Sequence, residues 1–300
     1  MRTETEIASQ PECWRRAVGL LPDVAGHLPA PGERVAVAGC GTSWFIAQSY
    51  AAAREAAGQG ETDAFAASEM PSGRRYDRLI VLTRSGTTTE VLRLLGQIGR
   101  DQPTVAITAG SGTPIATAVD ALITLGFADE QSVVQTRFAT TELALLLAHL
   151  GTDIEPAAQA AERVLAEPLP EALTQARQFT FLGTGWTTGL ASEAALKLRE
   201  AAGLWSESYP AMEFRHGPIA VTGPGSLIWV LGQAPDGLAQ DVAAAGGQMW
   251  PSGAHPLAEL VRVHRVAVAR ATAAGLDPDR PRNLTRSVIL DGAGLAQPAR

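Results

Sequence analysis

The stretch RVAVA at residues 34–38 runs directly into Gly39, Cys40, Gly41, Thr42 and Ser43, and an alanine-rich helical pattern follows at about residues 44–57. This arrangement limits the fold more than any other feature. A β-branched strand that breaks at glycine and passes at once into a helix returns by a right-handed crossover, so the next strand lies parallel to it. The arrangement then repeats. LIVLT at 79–83 leads through Arg84, Ser85, Gly86, Thr87 and Thr88 into a helix at about 89–99, and TVAIT at 104–108 and residues 121–125 read as two further strands. A helix at about 140–150, a polar stretch near 151–156 and another helix to about 166 close the series. The plan restarts with FTFL at 179–182, a turn of Gly183, Thr184, Gly185, Trp186 and Thr187, a helix at 190–202 and a strand at 227–231. Two copies of one βαβ plan are the economical interpretation. The expected fold is α/β, with two domains at residues 1–155 and 156–300, each of ordinary size.

Charge narrows the partners. The formal net charge of −7 speaks against nucleic acid and against membrane surfaces. It leaves room for a small anion, because a few local donors can hold a phosphate on an acidic protein. Cys13 and Cys40 are too few for a disulfide framework and suit a reducing compartment. Residues 1–11 are polar and acidic, unlike a signal peptide, and no apolar run is long enough for a membrane span. A cytoplasmic location is expected. No metal-ligand spacing is present, and neither a metal nor a cofactor is expected.

The two copies differ where ligands bind in open α/β sheets, at the carboxyl edge. Copy one has hydroxyls there: Thr83, Ser85, Thr87, Thr88 and Thr89. Copy two has Gly232, Gln233, Ala234 and Pro235. Glycine turns before helices aim backbone N–H groups at one point beside the positive helix end, and hydroxyls add donors. Gly41, Thr42 and Ser43 with Thr83, Ser85 and Thr88 therefore form a candidate phosphate cradle. These hydroxyls could instead be helix N-caps, a role such residues favour. A dinucleotide site fits less well. Gly39 and Gly41 begin that fingerprint, but Trp44 stands where a small residue is needed, and the lysine of a P-loop is missing.

Chemistry points to the other copy. Glu193, Lys197 and Glu200 lie at i, i+4 and i+7, so a helix puts them on one face. Such a group can be a solvated ion pair or a working cluster. His216 precedes Gly217 and Pro218, so a loop should present it, and its ordinary pKa suits proton transfer near neutrality. Phosphate anchor, carboxylate and histidine together suit aldose–ketose isomerisation. That reaction needs a ring opener, a base between C1 and C2, and a cation or donors at the enediolate oxygen. His255, His264 and residues 262–265 read as an exposed or tail-packing face.

These segments resemble the tandem SIS (sugar isomerase) domain proteins, including the isomerase half of glucosamine-6-phosphate synthase and the galactosamine-6-phosphate deaminase/isomerases. The matching stretches are residues 40–43, 84–88, 193–200, 214–218 and 281–288. The resemblance implies two SIS domains, each a five-stranded parallel sheet between helix layers, of flavodoxin- or Rossmann-like type. It implies a hexose or aminohexose 6-phosphate as ligand, with Thr42, Ser43, Thr83, Ser85 and Thr88 at positions that hold its phosphate or hydroxyls; Gly41, Arg84, Gln135, Glu193 and Arg286 are further candidate ligand contacts. It implies Glu200 as proton shuttle, Lys197 near the C2 oxygen, and His216 as a ring opener shared across a homodimer interface. Three departures qualify it. Arg84 replaces a glutamine and could meet a second substrate charge or the phosphate. Gln135 replaces a serine. Arg286 replaces the lysine that forms a Schiff base in the synthase, and arginine forms no imine under these conditions. Residue 2 is Arg2 rather than a nucleophilic cysteine, so no glutaminase is expected in this chain. Isomerase and deaminase chemistry, amine removal from a fructosamine-type 6-phosphate, and phosphosugar binding without turnover all stay open.

Overall fold

β-branched runs become central strands, and the alanine-rich stretches after them become helices. The computed structural model describes residues 1–99, 102–251 and 253–290; residues 291–300 of the second expected domain lie outside the described residues. The chain runs through α1 (Arg2–Ala8), α2 (Gln10–Val24), β1 (Val35–Gly39), α3 (Thr42–Ala56), β2 (Thr62–Ala66), β3 (Arg78–Leu82), α4 (Thr89–Ile98), β4 (Thr104–Thr108), α5 (Ile115–Ala118), β5 (Ala121–Thr124) and α6 (Arg137–His149). It continues with α7 (Glu155–Ala166), α8 (Glu171–Gln175), β6 (Gln178–Gly183), α9 (Thr187–Ala202), β7 (Ser206–Pro210), β8 (Ser226–Leu231), α10 (Leu238–Ala244), β9 (Gln248–Trp250) and α11 (Pro256–Ala273).

Two compact units result. The first comprises Cys13–Glu130, Arg137–Ile154 and, among the described residues, the stretch 285–290. Its five parallel strands lie in the order β2-β1-β3-β4-β5. β1 and β4 are buried along their whole length, which is why they read as unbroken apolar runs rather than as alternation. Ala36, Leu79, Val81 and Ala106 pack with Val91, Leu94 and Leu95 of α4 on one face. The strand order reverses between β1 and β3, the position where doubly wound sheets open a crevice.

The second unit comprises Met1–Glu12, Gln131–Thr136 and Glu155–Leu284. Its strands are also parallel, in the order β7-β6-β8-β9. The expected fifth strand is absent among the described residues. After β9 the chain enters the 18-residue α11, and Pro278 and Pro281 follow, neither of which can donate to a ladder. α11 corrects a second expectation. Arg262 is 7% exposed and His264 1%, because α11 is packed by α9, α7 and α1 rather than facing solvent. Among the described residues no helix is long and apolar enough to cross a membrane.

Candidate functional site

In the first unit β1 and β3 pair in parallel, with Ala38 opposite Val81, so their turns open side by side on one edge. Gly41, at φ 55°, caps α3. Thr42 and Ser43 belong to the first turn of that helix, two residues before the expected start, and both are buried. A side chain at position 39 would place its Cβ 2.7 Å from Ser43, so only glycine lets the helix leave the strand this tightly. In the second turn, Gly86 N–H donates to Thr83 Oγ1 at 3.2 Å and Thr87 N–H to Ser85 Oγ at 3.2 Å. Gly86 has φ 64°, and a Cβ there would meet Thr113 Oγ1 at 2.1 Å. Thr88 sits at the N-cap position of α4 without making a capping hydrogen bond. Its hydroxyl lies 3.4 Å from Ser85 Oγ instead, so capping does not account for it.

The segment from Thr285 runs across this edge. Ser287 Oγ accepts from Ser85 Oγ at 3.2 Å and from Thr87 Oγ1 at 3.0 Å, and lies 3.4 Å from Thr88 Oγ1. Thr89 N–H donates to Val288 O at 3.1 Å. Arg84 is almost wholly buried. Its guanidinium donates to Arg286 O at 3.0 Å and lies 3.9 Å from the Glu130 carboxylate. That carboxylate also accepts from Arg137 N–H at 2.9 Å and Phe138 N–H at 3.3 Å, where α6 begins. The Arg286 guanidinium donates to Glu130 O and pairs with Asp129. Sequence reasoning did not single out Ser287; its only signal was its place beside Arg286. Cys40 is half-buried, and burial, with Glu90 second, pushes its thiol up to about 11, away from nucleophilic use.

In the second unit α9 carries Glu193, Lys197 and Glu200 on one face, as their spacing predicts. The helix ends at Gly203, φ 62°, where the Gly203 and Leu204 N–H groups close back on Arg199 O and Leu198 O. The cluster is not a solvated pair. The side chains of Glu193 and Lys197 are 0% and 1% exposed, with Lys197 Nζ 3.4 Å from Glu193 Oε1. Lys197 also bonds Glu200, whose side chain is 21% exposed. Glu200 lines a cleft of about 220 Å³ with Arg199, Asp277, Arg280, Arg282 and Asn283. Deeper in, the Gln10 amide nitrogen lies 3.2 Å from His264 Nδ1, so the ring accepts there. Burial, then the Lys197 charge, pushes His264 down to about 3, so its imidazole is neutral.

His216 ends a single 3₁₀ turn, Glu213–His216, and is exposed. Phe214 anchors the turn in the core beside Leu182 and Ile228. Arg215 clamps it through Asp241 at 2.6 Å and Asp236 O at 2.7 Å. Gln135 is half-buried, and its carboxamide oxygen has no hydrogen-bond partner among the described residues. The expected residues thus divide. Gly41, Thr42, Ser43, Thr83, Arg84, Ser85, Thr88 and Arg286 belong to the first unit; Gln135, Glu193, Lys197, Glu200 and His216 belong to the second. Among the described residues no group of three His, Cys, Asp or Glu side chains could hold a metal.

Comparison with known proteins gives this geometry a context. Residues 30–150 match the model of the SIS domain. A glutamine–fructose-6-phosphate aminotransferase (isomerizing) of Nostoc sp. (strain PCC 9229) is 28% identical across 93% of this chain and 55% of its own length. Another, of Acidithiobacillus ferridurans, is 30% identical across 71% of this chain and 44% of its own. The chain spans about half the length of these relatives. Among solved structures, glucosamine-6-phosphate deaminase of Thermotoga maritima superposes with a TM-score of 0.79 at 22% identity, covering 97% of this chain and 100% of that one. Tagatose-6-phosphate ketose/aldose isomerase of Escherichia coli does so with a TM-score of 0.75 at 19% identity, covering 97% and 96%. These likenesses show the fold: α/β, with parallel sheets flanked by helices.

Proposed function

We propose that this chain binds a hexose or aminohexose 6-phosphate and moves a proton between C1 and C2, as an isomerase or with loss of ammonia. The observation that carries the proposal is the Glu193–Lys197–Glu200 cluster, in which Glu193 and Lys197 are buried and Glu200 lines a cleft. A carboxylate there can take the proton from one carbon and return it to the other. Lys197, between two carboxylates, supplies the cation that the developing enediolate oxygen requires. The hydroxyl cradle of the first unit is assigned to the phosphate. His216, exposed on a turn that Phe214 and Arg215 anchor, is assigned to ring opening, for substrate held by a second copy of the chain in a homodimer. The second unit is interpreted as a diverged SIS domain, because β7-β6-β8-β9 repeats the strand order β2-β1-β3-β4. The tagatose-6-phosphate isomerase and glucosamine-6-phosphate deaminase likenesses support the substrate class.

The test is a panel of hexose and aminohexose 6-phosphates followed by NMR, with wild type and Glu200→Gln. We expect turnover of at least one sugar and a loss of about 10²- to 10⁴-fold in the variant. Equal rates would remove Glu200 from the role. A second interpretation, phosphosugar binding without turnover, is favoured by one observation: Arg286 forms no imine, and its guanidinium is committed to Asp129 and Glu130. Binding of a sugar phosphate with no product from any member of the panel would select it. Release of an amine from a fructosamine-type 6-phosphate, with none from glucosamine 6-phosphate, would move the assignment to a deglycase.

A further inference from the structure

We propose that residues 286–288 form a built-in pseudo-phosphate, which competes with the ligand's phosphate for the hydroxyl cradle and has to leave when that phosphate binds. The inference rests on the assignment of that cradle to a phosphate. A phosphate at such an edge presents oxygens to hydroxyl donors and to a backbone N–H at a helix start. The tail presents oxygens to Ser85 of that cradle and to two donors that adjoin it, Thr87 Oγ1 and the Thr89 N–H. Ser287 Oγ accepts from Ser85 and Thr87 at 3.2 and 3.0 Å. Val288 O accepts from the first N–H of α4, that of Thr89, at 3.1 Å. Each donor hydrogen serves one strong acceptor, so tail and phosphate exclude each other.

The mounting of the tail supports a purpose beyond packing. Arg84 holds the Arg286 carbonyl from inside the unit, the Arg286 side chain is fastened to Asp129 and Glu130, and Leu290 N–H donates to Thr89 Oγ1 at 3.0 Å. The oxygen of Ser287 is thereby held in register with the hydroxyls, although Ser287 itself is neutral. Hydrogen bonds to an ionised acceptor are roughly twice as strong as neutral ones, so a phosphate dianion displaces the serine while leaving the tail closed in its absence. Arg84, the departure that suggested a second substrate charge, becomes the residue that positions the tail.

The test uses the full chain, inorganic phosphate as probe, calorimetry for affinity and hydrogen exchange at the Leu290 amide. Ser287→Ala removes the competing acceptor, and phosphate should bind it roughly 5- to 10-fold more tightly than wild type. In wild type, phosphate should speed exchange at Leu290. Weaker binding by Ser287→Ala would overturn the proposal, since Ser287 would then be a phosphate ligand; so would unchanged affinity with unchanged exchange. Ser85→Ala separates the two claims. Phosphate binding that is lost in Ser85→Ala but indifferent to Ser287→Ala keeps the cradle and refutes the pseudo-phosphate. No binding by wild type and Ser287→Ala alike removes the cradle, and the tail's role with it.

Discussion

Lys197 shows what one residue can carry. Its ammonium is buried with Glu193 on one side and Glu200 on the other. Lys197→Met would remove the ammonium 3.4 Å from the Glu193 carboxylate, which is 0% exposed, and breaking a buried pair from one side costs about 3–5 kcal/mol. The denaturant midpoint of the second unit should fall accordingly, and Glu193→Gln added to Lys197→Met should recover part of the loss, as a double-mutant cycle would show. His264 gives a pH prediction. Its pKa in the folded chain is lowered to about 3, so the unfolded chain binds the extra proton first. The stability it confers is complete above about pH 6.5 and declines by roughly 1.4 kcal/mol per pH unit between there and about pH 3. His264→Leu should flatten that part of the pH–stability curve; an unchanged slope would show that other groups set it. The spacing of Glu193, Lys197 and Glu200 was legible in the sequence because a helix fixes who shares a face. Their burial was not, because it comes from α11, more than fifty positions downstream. His264 shows the same: α11 carries Glu259, Arg262, His264, Arg265 and Arg270 among its alanines and valines, and their spacing does not announce that the first three are covered.

At the scale of elements, legibility followed position in the sheet for every strand but β5 (ALIT), an edge strand whose apolar run was legible all the same. β1, β3, β4, β6 and β8 are central or nearly so, buried on both faces, and read as apolar runs. β2 (TDAFA), β7 (SESYP) and β9 (QMW) are edge strands, polar or short, with one side unpaired among the described residues. Their sequences carry little β signal, and pairing with β1, β6 and β8 makes them strands. The glycine turns were legible because the backbone demands them. Gly183 is the sharpest case. A Cβ there would lie 2.2 Å from the carbonyl oxygen of Thr187, on the backbone of α9, where no side chain can move aside. Gly183→Ala must therefore push α9 off β6 and shift Glu193, Lys197 and Glu200 with it. We expect a stability loss above about 3 kcal/mol and, if the proposed chemistry holds, a fall in turnover. Ala194→Gly, in the same helix without a clash, should cost only about 1 kcal/mol of propensity plus its lost methyl contact. Similar losses for both variants would refute the close-approach explanation.

Across the whole molecule, neither unit is one continuous length of chain. The second is closed by its first dozen residues. Glu6, 4% exposed, accepts from Gln131 N–H at 2.6 Å, from Ser132 N–H at 3.3 Å and from the Ser132 hydroxyl. Asp279 accepts from Arg2 N–H at 3.0 Å and Thr3 N–H at 2.8 Å. Burial alone would raise the Asp279 carboxyl, but the Thr3 hydroxyl and these N–H groups outweigh it and hold it below the usual carboxylate range. Three segments far apart in sequence thus meet through two carboxylates, a device that no local pattern reveals. Glu6→Ala removes the acceptor of the Gln131 and Ser132 N–H groups, while the Ser132 hydroxyl still reaches Val134 O at 3.1 Å; a lost acceptor costs about 1–3 kcal/mol per donor, so a loss of roughly 2 kcal/mol or more is expected. Deleting residues 1–9 should cost more, since Ile7, 2% exposed, leaves the core as well. The deletion should also soften the acid limb. The Asp279 contribution is present above its unfolded carboxylate pKa and disappears as pH falls through the lower folded value, so a chain lacking Thr3 has less to lose there. Hydrogen exchange resolves where the damage goes. Amides of β6 and β8 should lose protection while those of β1 and β3 keep theirs, and inorganic phosphate should bind the truncated chain as it binds the full one. Equal loss of protection in all four strands would show instead that the two units unfold as one, and that the first dozen residues support the entire chain.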